Sequence, residues 1–107
     1  MNAHANLPWS EQYRIVARKW VDADAAASLL EDTKSAFLSQ RMQAHANLAV
    51  SKAEALVKSS SEWVDFVEKM VAARKQANLL KVQLEYLRMK FSEWQSENAT
   101  KRAEMRL

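Results

Sequence analysis

The chain has no glycine, no cysteine and a single proline in 107 residues. Without glycine, tight hairpins and left-handed helix caps lose their usual residue, so long helices joined by few turns are predicted, and no β-sheet. Missing cysteine excludes a disulfide framework, a thiolate metal site and a cysteine nucleophile, and fits a reducing compartment. A phosphate-cradling glycine loop is excluded on the same composition. The sequence has neither an apolar run of eighteen residues nor a signal-peptide pattern, so a soluble, cytoplasmic chain without membrane contact is expected.

What is abundant is Ala, Leu, Glu, Lys, Arg, Gln and Met, the residues that helices favour. The length predicts one helical domain over 1–107, small enough that oligomerisation would help it. Net charge is +3, but it is unevenly placed. Residues 1–68 hold seven Lys/Arg against nine Asp/Glu, whereas residues 69–107 hold nine against four. Basic character therefore belongs to the C-terminal part of the chain.

Residues 1–7 show no periodicity and are expected to form a flexible end. Pro8 suits the first turn of a helix, and Glu11 suits its dipole. Trp9, Tyr13, Val16 and Trp20 then mark one face of a short helix over 8–20. The stretch VDADAAAS interrupts the large apolar residues, and Asp22 or Asp24 is a candidate cap for an Ala-rich helix over 23–58. No Pro or Gly forces a break there, so a continuous helix is the alternative. Leu30, Phe37, Ala44, Leu48 and Ala55 form a thin stripe that lets another helix approach closely. In KSSSEW, Ser59 and Glu62 have capping-box spacing, placing a turn at 58–61 and a new helix over 62–104.

That last helix carries the strongest pattern in the chain. Trp63, Phe66, Met70, Ala73, Ala77, Leu80, Leu84, Leu87, Phe91 and Trp94 follow alternating steps of three and four, a sustained heptad repeat. Such a helix is roughly 60 Å long, too long for a compact globule of this size to cover. The predicted fold is accordingly all-α: a helical hairpin with a long heptad-bearing C-terminal helix, self-associating as a coiled-coil oligomer.

Catalytic constellations are thin. His4 lies in the expected loose end, and His45 has no acidic residue three or four positions away. The carboxylates Asp22/Asp24, Glu31/Asp32 and Asp65/Glu68 read as helix-start and solvated-face charges rather than metal ligands. No enzyme, cofactor, metal or small-molecule substrate is expected.

The cations are more informative. With Trp63 and Met70 at heptad position a, Arg74, Lys81, Arg88 and Arg102 fall at e. Parallel self-pairing would oppose Lys69 to Arg74, Gln76 to Lys81 and Gln83 to Arg88, with only Glu97–Arg102 complementary, so the middle of the helix is not tuned for a simple parallel homodimer. Two readings stay open. The e cations either face acidic residues of an antiparallel helix, with Asp22, Asp24, Glu31 and Asp32 as candidates, or snorkel over the seam. Alternatively Arg74, Lys75, Lys81, Arg88 and Lys90 form a basic strip for phosphates, with Tyr86 or an outlying Trp for base stacking. The four tryptophans read first as packing residues.

The stretch SEWVDFVEKMVAARKQANLLKVQLEY, residues 61–86, resembles the small helical recombination mediators of bacteriophages, the UvsY type. A Ser61-x-Trp63 entry, an Ala/Lys-rich run, and Leu80-Lys81 followed by Leu84-Glu85-Tyr86 carry the likeness. It implies a non-enzymatic homo-oligomer that binds single-stranded DNA and helps load a recombinase onto strands coated by single-strand-binding protein. Lys75 and Lys81 would then hold the basic-helix role, extended by Arg74 and Arg88. The other expectation is a coiled-coil interaction module, an adaptor or small inhibitor with no nucleic-acid role.

Overall fold

The computed structural model describes residues 6–106, so His4 and most of the expected flexible end lie outside the described residues. Helix α1 spans Trp9–Met42 and is followed by a 3-10 turn at Gln43–His45. Helix α2 spans Val50–Lys58 and α3 spans Ser61–Arg106. The described residues are helical with no strand. None of these helices is long and apolar enough to cross a membrane.

Helix α1 starts one residue beyond Pro8, whose carbonyl accepts the amides of Glu11 and Gln12 at 3.0 Å. Buried Gln12 also donates its Nε2 to the Leu7 carbonyl at 2.7 Å, which ties down the entry. Instead of ending at residue 20, α1 runs unbroken through VDADAAAS to Met42. Alanine is the best helix former, and Asp24 sends its carboxylate to a facing helix instead of capping. The expected helices over 8–20 and 23–58 are thus replaced by one long α1 and a separate α2. The real interruption falls at residues 43–49, which changes the phase of the thin stripe and leaves Ala44 and Ala55 exposed.

A turn near residues 58–61 is present, with its cap shifted by one residue. Ser59 still has helical backbone angles, φ −91° and ψ −3°. Its hydroxyl donates back to the Leu56 carbonyl at 3.0 Å. Ser60 is the cap, its Oγ accepting the Trp63 amide at 3.3 Å.

The chain packs as two compact units. One comprises residues 22–77, with α1 antiparallel to the start of α3 and α2 alongside. Its Ala27 and Ala77 are fully buried, and Ala53, Val57 and Trp63 are also buried. Phe37 stacks on Phe66 with centroids 4.5 Å apart and lies 6.2 Å from Trp63. Lys34 caps the Trp63 ring at 5.8 Å.

The other unit joins the residues up to Val21 with those from Asn78 onward, again as antiparallel α1 and α3 segments. Val16, Leu84 and Leu87 are its buried centre, ringed by Trp9, Tyr13, Ala17, Trp20 and Leu80. In both units the heptad seam is buried or half-buried: Trp63, Phe66 and Met70 in one, where Phe37 of α1 packs on the two rings, and Leu80, Leu84 and Leu87 in the other, clustered with Val16 of α1. Further along the seam Phe91 and Trp94 are exposed, at 38% and 47%.

Candidate nucleic-acid interface

The five cations read as one strip have different surroundings. Arg74 is held within its unit by α1. Its Nη1 donates to Asp24 Oδ1 at 2.7 Å, while Nη2 and Nε grip the two Glu31 carboxylate oxygens at 2.7 and 2.9 Å. Nη2 also reaches the Ser28 hydroxyl at 3.3 Å. The grip on Glu31 is the planar, two-pronged geometry for which guanidinium is suited. Its hydrogen bonds to Glu31 and Asp24 hold the Arg74 pKa above the ordinary guanidinium value, and the bond from Arg74 holds the Glu31 carboxyl below its own. With its donors committed to two carboxylates, Arg74 is a structural clamp.

Lys81 and Arg88 sit on the same e edge in the other unit, and their surroundings differ. Arg88 Nη2 donates to the Tyr13 hydroxyl at 3.1 Å. Among the described residues neither Lys81 nor Arg88 enters an ion pair. Both line an open groove of about 190 Å³ with Tyr13, Trp20, Leu84 and Glu85. A second groove of about 320 Å³ adjoins it, bounded by Trp9, Ser10, Tyr13, Leu87, Arg88 and Phe91. Tyr13 and Arg88 belong to both.

Lys75 and Lys90 stand elsewhere on α3. Lys75 is exposed at heptad position f, opposite the seam. Lys90 is at g, its Nζ 3.8 Å from Glu93. Tyr86 is 55% exposed at position c, on the outer face. The ring placed beside the cations is instead Tyr13, brought there by the antiparallel register of α1 and α3. A heptad reading of α3 alone has no means of reaching a residue 75 positions earlier in the chain.

Among the described residues no cluster of His, Asp or Glu has the arrangement of a metal site. No protein-family model matches this chain, and neither curated proteins nor solved structures show a match. The chemistry available at the Lys81–Arg88 edge is therefore argued from its own groups. Two cations about two helical turns apart can meet successive phosphates, and the adjoining ring faces can take an unstacked base.

Proposed function

We propose that this chain is a non-enzymatic, self-associating protein that binds single-stranded DNA along the Lys81–Arg88 edge. The observation that carries the reading is that these two cations, in no ion pair among the described residues, border a groove walled by Tyr13 and Trp20, and that Arg88 also borders one walled by Trp9, Tyr13 and Phe91. A cationic rim tracks a phosphate backbone, and aromatic faces accept bases of any sequence. Glu85 lines the same groove, so phosphates engage the rim rather than the floor. The units differ in charge in the same sense: residues 1–21 and 78–107 carry nine Lys/Arg and five Asp/Glu, whereas residues 22–77 carry seven and eight. Resemblance to recombination mediators adds the role: delivery of a recombinase to strands held by single-strand-binding protein.

Titrating a fluorescent single strand at two salt concentrations tests it. Lys81→Ala with Arg88→Ala is expected to weaken binding strongly and to flatten the log–log salt slope by about 1.4, two single-strand phosphate contacts. Full affinity in that double variant would end the DNA reading.

A second reading, a helical protein-interaction module, is favoured by a different observation. The seam of α3 continues past Leu87 through Phe91, Trp94 and Met105, which are 38%, 47% and 87% exposed. It predicts no DNA affinity at low salt and a defined assembly that is lost when Trp94 is replaced by Glu.

A further inference from the structure

Helix α3 carries a second apolar stripe, on the side away from the seam. Leu79, Val82, Tyr86 and Met89 follow steps of three, four and three and are between 55% and 60% exposed. They occupy heptad positions c and f, opposite the a and d residues that meet α1. A solvated helix is ordinarily polar on that side, so four large apolar residues in one row indicate a partner.

The charges that flank the row say which partner. The stripe is a palindrome about Leu84: Val82 and Tyr86 lie two residues to either side, Leu79 and Met89 five, and Lys75 and Glu93 nine. Two copies of α3 laid antiparallel across a two-fold axis at this point place Val82 against Tyr86 and Leu79 against Met89. Each end of the stripe then closes with Lys75 of one copy opposite Glu93 of the other. Parallel pairing would set Lys75 against Lys75 and Glu93 against Glu93. The mirrored apolar positions follow from the three-four-three spacing itself; what favours a second copy is that opposite charges, Lys75 and Glu93, flank the row at equal distances from the same midpoint. Lys90 already lies 3.8 Å from Glu93, and Lys75 of a second copy would add a second cation to that carboxylate. One like-charged approach accompanies the axis, Glu85 beside its own copy, on a flank where both carboxylates reach water.

We infer that the outer stripe of α3 is a self-association surface, taking a second copy of this chain antiparallel with the two-fold axis at Leu84. This rests on the self-association in the function proposed above but not on the DNA contact. Lys81 and Arg88, at e, stay clear of the c and f row, so a dimer of this kind leaves the cationic edge open. It also uses a different face from the bare Phe91–Trp94 seam.

Cysteine cross-linking tests the register directly, because the chain has no cysteine of its own. Leu79→Cys chains mixed with Met89→Cys chains under mild oxidation are expected to give the mixed dimer in excess over either homodimer. Predominant homodimers would overturn the register. Sedimentation of Val82→Glu with Tyr86→Glu, both exposed positions where Glu preserves the helix, is expected to yield monomers of unchanged helicity. Lys75→Glu alone is expected to weaken association about fivefold through its two copies, and adding Glu93→Lys to restore it. If Trp94→Glu dissolves the assembly and the outer-stripe variant does not, the inference falls and seam-driven assembly stands. A wild-type chain that is monomeric at all concentrations removes both.

Discussion

At the scale of single residues, Arg74 decides how the cation row is understood. Its heptad position and the candidate acids Asp24 and Glu31 were legible in the sequence, because an e residue of α3 faces whatever helix covers the seam. That Arg74 is committed while Lys81 and Arg88 are not was illegible. It depends on which α1 residues fall opposite each, a register set by packing over dozens of intervening residues. The clamp has a pH consequence. Glu31 has its pKa lowered from the ordinary 4.5, chiefly by its hydrogen bond from Arg74. A lowered carboxyl contributes stability above its unfolded pKa and loses it as pH falls through the folded value. Thermal melts from about pH 6 down to about pH 3 should therefore show Tm falling more steeply in the wild-type chain than in Glu31→Gln. Identical slopes would show that the pair is not coupled to folding.

At the scale of elements, the hairpin and the long α3 follow from the composition and the heptad count, and both are present. What the pattern misplaced was the first interruption. Asp22 and Asp24 have the chemistry of caps, but a cap acts only where backbone amides are free. In an Ala-rich stretch with no Pro or Gly the helix continues and Asp24 serves a neighbour instead. Ser59 lost the capping role to Ser60 for a related reason: α2's last turn runs one residue further than the spacing implies. Continuity of α1 is testable at exposed Ala25. Ala25→Pro removes an internal hydrogen bond and clashes with the preceding turn, so a loss of about 3 kcal/mol or more is expected in urea denaturation. A loop over residues 20–24 would tolerate the same change with little loss.

At the scale of the whole molecule, the seam changes character along its length. Leu87 is buried beside Val16, whereas Trp94, on the same seam, is nearly half exposed. Leu87→Ala is expected to cost about 2–5 kcal/mol of folding stability. Trp94→Ala should leave the monomer's urea midpoint unchanged. Equal destabilisation by both would mean that Trp94 is packed in the folded monomer. The heptad repeat announces a seam without saying where its intramolecular cover stops, because that limit is set by where α1 begins. The candidate site was half legible for the same reason: the cations belong to α3's own pattern, while Tyr13, Trp9 and Trp20 reach them only through α1's placement.

No described residue adopts a left-handed backbone conformation, and no peptide bond among them is cis. The chain reverses direction using conformations open to every ordinary amino acid. Its reversals thus need no residue with left-handed freedom, and the side chain that serves a bend directly is Ser60, a cap whose role Thr, Asp or Asn could also fill. At residues 43–49, therefore, no backbone angle by itself demands glycine or asparagine.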